Sequence, residues 1–186
     1  HLLTGQRLYQ FDLKTAGFED GLDDVSDKVP LPRFTLTVDH DRAYVRMGRL
    51  GLGAKNGPAK HPASYLICLD ITQPEIKKDR LLWHVKAGAG KKDPTYFEGS
   101  PVVHEGRVYT ELSKVVDRRT ITSVVCYDVL GRQRWSREVC ECPEFEDNAE
   151  AIRYRQHLLT WAAGQVVYCS HAGAVTALDA TTGQPT

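Results

Sequence analysis

The sequence predicts an all-β protein: a propeller segment of about three four-stranded antiparallel blades. Three observations predict it. A short motif ending in Asp and a tight turn recurs along the chain. A strand bearing a tyrosine precedes each copy, and a tryptophan follows two of them. Recurrence of one sheet-sized module in fixed order marks a repeat architecture, in which each unit buries its apolar face on its neighbours.

The C-terminal copy is the clearest. Gly164-Gln165-Val166-Val167-Tyr168-Cys169 leads to Val175-Thr176-Ala177-Leu178-Asp179 and a turn at Thr181-Thr182-Gly183. Upstream, Gly106-Arg107-Val108-Tyr109-Thr110 leads to Val124-Val125-Cys126-Tyr127-Asp128, then Gly131 and Trp135. Further upstream, Asp41-Arg42-Ala43-Tyr44-Val45 leads to Leu66-Ile67-Cys68-Leu69-Asp70 and Trp83. Leu8 to Gly17 reads as the tail of one more unit.

A further strand precedes each tyrosine strand: Thr35–Val38, Ser100–Val103 and Leu158–Trp161. The turns Asp39-His40-Asp41-Arg42, His104-Glu105-Gly106-Arg107 and Ala162-Ala163-Gly164-Gln165 join the two strands in each unit. Turn residues between β-rich apolar runs read as hairpins. Each unit is therefore strand, turn, strand, loop, strand, turn and a short tryptophan strand, which is a propeller blade. The Asp side chain can bond the backbone two residues on, and Gly supplies positive φ. The Trp beyond covers apolar space between neighbouring blades. An ordinary β-sandwich is the competing all-β reading, and the ordered recurrence disfavours it.

The units fall at residues 1–17 (tail of a preceding blade), 33–86, 98–139 and 156–186 (an incomplete blade). Insertions are expected at 46–64, 111–122 and 140–156, and an acidic, proline-flanked linker at 18–32. Phe145, Ala149 and Ile152 have the spacing of a short helix packed by one face. Three blades are too few to close a ring of four to eight. The expectation is an excerpt of a larger seven- or eight-bladed propeller, whose open edges invite self-association.

These residues resemble the repeat of the pyrroloquinoline-quinone-like β-propeller family, approximately Ala-x-Asp-x-x-x-Gly-x-x-x-Trp after a Gly-x-Val-Tyr strand. Residues 177–183 match closely. The copy at 126–135 is one residue shorter, and the copy at 68–83 replaces the Gly turn with Thr72-Gln73-Pro74-Glu75. The resemblance implies a fold and an extracytoplasmic location, periplasmic or secreted. It does not imply one chemistry, because the family includes quinone-dependent dehydrogenases, outer-membrane assembly scaffolds and many other secreted propellers. Its quinone-dependent members set a disulfide between two adjacent cysteines against the cofactor. Here Glu141 separates Cys140 from Cys142, and there is neither a Cys-Cys pair nor a Cys-x-x-Cys-His haem site.

The 24 basic and 24 acidic side chains cancel, which argues against nucleic-acid or anionic-membrane binding. No apolar run reaches the length of a membrane span. Of the five cysteines, Cys68 and Cys126 share the position that Ala177 fills in the third copy. That position asks for a small buried side chain. Cys140-Glu141-Cys142 lacks the second ligand pair of a structural zinc site and reads as a loop.

Other candidates are weaker. Gly51-Leu52-Gly53-Ala54-Lys55-Asn56-Gly57 has its last glycine one place late for a dinucleotide loop, with no helix following. Gly88-Ala89-Gly90-Lys91-Lys92 lacks the first glycine and the hydroxyl residue of a P-loop. His40 and His104 are read at equivalent hairpin positions, and a pair at one rim can bind metal or move protons. Glu144, Glu146, Asp147 and Glu150 miss the alternation of a calcium loop. Tyr96 and Phe97 are the aromatic pair best suited to a sugar. No Gly-x-Ser-x-Gly elbow occurs.

The sequence therefore predicts a non-catalytic module that binds a protein partner or acts as a scaffold through its rim loops, with no catalytic, cofactor or metal residues assigned and no cofactor. A quinoprotein dehydrogenase fragment is the first alternative and a carbohydrate-binding propeller the second.

Overall fold

The computed structural model describes residues 11, 16–18, 36–48, 64–72, 80–88, 95–117, 119–143, 158–170 and 172–186. Among these residues there is no helix, and eleven strands form three antiparallel sheets. Sheet 1 runs β1 (Leu36–Asp39), β2 (Arg42–Gly48), β3 (Ser64–Asp70) and β4 (Leu81–Lys86), in that spatial order. Sheet 2 runs β5 (Thr95–His104), β6 (Arg107–Val116), β7 (Arg119–Asp128) and β8 (Gln133–Pro143). Sheet 3 holds β9 (Leu158–Ala162), β10 (Gln165–Cys169) and β11 (Val175–Asp179), with β10 central.

Turn chemistry sets the hairpins. Glu105 and Gly106 both have positive φ (45° and 73°), as do Ala163 and Gly164 (49° and 78°). That conformation matches the twist of the flanking strands. Each Asp turn closes as its sequence suggests. Thr72, Leu130 and Thr181 donate their backbone N–H groups to Oδ1 of Asp70, Asp128 and Asp179, each two residues back.

Register repeats from sheet to sheet. The residue before each Asp pairs outward: Leu69 with Leu81, Tyr127 with Gln133, and Leu178 with Pro185 through an isolated bridge. Pro185 thus lies beside β11 where β4 lies beside β3. In sheets 1 and 2 the residue before the tryptophan, Leu82 or Arg134, is the extra residue of a bulge.

Three apolar clusters hold the sheets together. Between sheets 1 and 2 lie Tyr44, Leu66, Cys68, Phe97, Val108, Val125 and Tyr127, with Trp83 against them. Between sheets 2 and 3 lie Tyr109, Val124, Cys126, Val166, Tyr168 and Leu178, with Trp135 against them. On the other face of sheet 1, Ala43, Tyr65, Ile67 and Leu69 are covered by Phe18, with Phe11 alongside. β3 is thus covered on both faces, which explains the unbroken burial of Ser64–Leu69. Each fully buried large side chain contributes roughly 1.5–3 kcal/mol.

The expected boundaries shift in several places. Residues 111–122 are not a loop insertion. They lengthen β6 and β7 into ten-residue strands, turning at Asp117 with φ 48°. The stretch reads as polar, but Thr110, Glu111, Ser113, Thr120 and Thr122 are buried polar groups of a strand pair. Cys140 and Cys142 lie in β8 rather than in a loop. Arg46–Gly48 belong to β2 and Ser64 opens β3. Phe18, placed at the start of a linker, is buried against the Tyr65 ring at 4.8 Å and the His84 ring at 4.7 Å. The rest of the linker, the 51–57 glycine loop, residues 89–94, the Phe145–Ile152 helix and the acidic run from Glu144 to Glu150 lie outside the described residues.

Candidate functional site

Two sets of polar contacts sit between the sheets. The first is a clamp. Trp83 Nε1 and the Arg42 guanidinium of sheet 1 both donate to the Val129 carbonyl of sheet 2, at 2.8 and 2.7 Å. Trp135 Nε1 and the Arg107 guanidinium of sheet 2 both donate to the Ala180 carbonyl of sheet 3, at 3.3 and 3.0 Å. Val129 and Ala180 each follow the Asp of their turn. Each indole also lies flat on the turn glycine. A Cβ on Gly131 would sit 2.8 Å from Trp83 Cδ2, and one on Gly183 would sit 2.6 Å from Trp135 Cε3. Charged donors to a carbonyl make stronger bonds than neutral ones.

The second set is a buried group of acids and hydroxyls. Glu98 of β5 and Glu111 of β6 are directly opposite each other in the sheet. Glu111 is 0% exposed, Glu98 4%, and Arg46 of β2 3%. Ser113 Oγ donates to Glu98 Oε2 at 2.7 Å and lies 2.9 Å from Thr122 Oγ1. Thr122 bonds in turn to the Tyr168 phenol of sheet 3. Since Ser113 donates to the carboxyl group, it accepts from Thr122. The hydroxyls of Ser113 and Thr122 thus lead from the acids towards the Tyr168 phenol of sheet 3. The Arg46 guanidinium donates to the Phe97 carbonyl at 3.4 Å. Neither carboxyl oxygen of Glu111 has a hydrogen-bond partner among the described residues.

Burial pushes the Glu111 carboxyl well above the usual carboxylate range; the Glu98 charge adds to this and Arg46 offsets part of it. The Arg46 guanidinium is lowered by burial, against the pull of both acids. Burial raises the Tyr168 phenol, with the Thr122 bond working the other way. A carboxyl without a partner in low dielectric favours its neutral form.

The sequence candidates are scattered by comparison. His40 is a turn residue with its side chain 88% exposed, 2.9 Å from Asp39. His104 ends β5 and stacks on Trp161 with ring centroids 3.5 Å apart. The two histidines are not equivalent. Arg42 pairs with Asp39 and Arg107 pairs with His104, so His104 matches Asp39 and His40 matches Glu105. Tyr96 and Phe97 are buried core residues and present no aromatic surface to a sugar. Cys140 and Cys142 share one face of β8, opposite Thr122 and Thr120, and all five cysteines are free thiols. Cys68 and Cys126 are fully buried, as their shared position requires. Among the described residues, no group of three His, Cys, Asp or Glu side chains is placed to hold a metal, and no helix is long and apolar enough to cross a membrane.

No protein-family model matches the chain, and no curated protein matches it.

The acid and hydroxyl group escaped the sequence reading because its members come from β2, β5, β6, β7 and β10. One signal was available in the sequence: Glu111 directly continues the strand-forming run Val108-Tyr109-Thr110 with no turn residue between them.

Proposed function

We propose that the chain is a segment of a β-propeller of the pyrroloquinoline-quinone-like type, serving as a non-catalytic module that binds a protein partner or acts as a scaffold. The observation that carries the reading is the paired clamp. The same two donor types reach the same backbone carbonyl, over the same turn glycine, from sheet 1 to sheet 2 and from sheet 2 to sheet 3. The first strands also touch in series, β1 against β5 and β5 against β9, as inner strands around a common axis do.

The binding reading rests on where the reactive groups lie. Glu98, Glu111, Ser113 and Thr122 are enclosed between sheets, beyond the reach of a diffusing substrate. Exposed positions are turns and strand edges, the parts of a rigid β scaffold that engage partners. Two cysteines separated by Glu141 on one strand face cannot form the adjacent-cysteine disulfide of the quinone enzymes.

Titration calorimetry with pyrroloquinoline quinone and calcium tests this reading against the dehydrogenase alternative. The expected result is no saturable heat. Saturable binding of quinone with calcium would overturn the non-catalytic reading.

A further inference from the structure

Glu111 is the group whose surroundings are least explained by packing alone. Its side chain is fully buried and neither oxygen is hydrogen-bonded among the described residues. Glu98 stands directly opposite it across the β5–β6 pair. Like charges in that position repel. Gly99, next to Glu98, has φ +66°, and a Cβ there would meet Glu111 Oε2. The glycine thus leaves just enough room for the carboxyl.

Charge counting narrows the state of the cluster. Ionisable groups face Glu111 from several elements: Arg46 from β2, Glu98 from β5 and, farther off, Tyr168 from β10 with Cys140 of β8 near it. Val124 of β7 lies directly opposite and brings no charge. β9 carries no ionisable side chain. Among the described residues, one cation therefore meets two acids. Ser113 donates its hydroxyl to Glu98, and no donor among the described residues reaches Glu111, so a single negative charge is held better on Glu98. The group is neutral only if Glu111 keeps its proton, and burying an uncompensated charge is far more costly than burying a neutral acid.

We propose that Glu111 is a proton-storing residue that closes the seam between the sheets, taking up one proton as the protein folds and loosening that seam when alkaline solution removes it. The sign follows from linkage. The folded state holds this proton more tightly than the unfolded chain does. The Glu111 contribution is therefore fully present below the unfolded glutamate value of about 4.3 and declines as pH rises towards the folded value. Within that window the unfolding constant rises by up to about tenfold per pH unit for this one proton.

Urea unfolding from pH 5 to pH 9 of the wild-type chain and Glu111→Gln tests it. Gln keeps the shape of the neutral acid and cannot ionise. The expected result is a wild-type pH slope about one proton steeper than that of Glu111→Gln, and identical slopes would overturn the proposal. Isotope-edited infrared spectroscopy of the wild-type chain with labelled glutamate decides the matter even if that variant fails to fold. A protonated-carboxyl C=O band at neutral pH, at the high frequency of a carboxyl that makes no hydrogen bond, is expected. Absence of the band, or a band at the lower frequency of a hydrogen-bonded acid, would place the proton elsewhere and overturn the proposal.

Discussion

Replacing Gly131 by Ala tests whether the tryptophan clamp couples sheet 1 to sheet 2. Two separate costs arise. Gly131 has φ +78°, and holding an L-residue in the left-handed region costs about 1–2 kcal/mol. The new Cβ would also lie 2.8 Å from Trp83 Cδ2 and 2.9 Å from Cε3. An indole wedged between sheets must then shift, a form of overpacking that costs about 1–3 kcal/mol. Only the second cost depends on Trp83. In a Trp83→Leu background the indole is gone, and Gly131→Ala should retain the backbone cost alone. A double-mutant cycle should therefore show a coupling of about 1–3 kcal/mol. Equilibrium urea unfolding of the four proteins, fitted with a common m-value, measures it. Additivity within about 0.5 kcal/mol would mean that the indole and the turn do not press on each other, and the clamp would lose its energetic meaning. The Gly183–Trp135 pair has the same geometry and should give a coupling of the same sign.

Gly99→Ala should be the most damaging glycine replacement, because its Cβ meets a buried carboxyl oxygen of Glu111 in a backbone with φ +66°; a loss of roughly 3 kcal/mol or more in urea unfolding is expected from strain and overpacking together. Trp83→Phe keeps a ring but removes the Nε1 donor to Val129, and should cost about 1 kcal/mol in the same assay. Burial pushes the Cys68 and Cys126 thiols up to about 11, with Arg42 and Arg107 respectively opposing it; at pH 8 an aromatic disulfide reagent should modify half-buried Cys140 and Cys169 first and leave those two intact until denaturant is added. The Asp70 and Asp179 carboxyls are held low mainly by bonds from Thr72 and Thr182, and their stabilisation is present above the unfolded value of about 3.9 and lost as pH falls through the folded value; thermal melts from pH 5 to pH 2 should fall less steeply in Asp179→Asn than in wild type.

What the sequence revealed follows from the range of the interactions involved. Hairpins at Glu105-Gly106 and Ala163-Gly164 and the Asp turns are written within a few neighbouring residues, so local chemistry exposes them. Trp83 and Trp135 were legible as inter-unit contacts because each is the first tryptophan after the Asp turn of its unit, although the spacing differs between the two. The lengthened β6–β7 hairpin was not, since its turn at Asp117 uses a non-glycine residue at positive φ and its strands carry Ser, Thr and Glu. Those polar residues are buried by a neighbouring sheet, which nothing in the local pattern announces. The matching of His40 with His104 slipped by one place because both lie in four-residue turns; only the pairing of Arg42 with Asp39 and of Arg107 with His104 fixes the register. Glu111 became interpretable only once Arg46, Glu98 and Tyr168 were brought to it from other strands.

The clamp also has a direction. Trp83 finds its acceptor 46 residues further along the chain, and Trp135 finds its own 45 residues further along. During synthesis a finished sheet therefore emerges from the ribosome with its indole unsatisfied, and it locks only when the next Asp turn has followed it out. Assembly proceeds with a lag of one module, and a ribosome pausing within that interval would expose a half-fastened apolar face to other nascent chains.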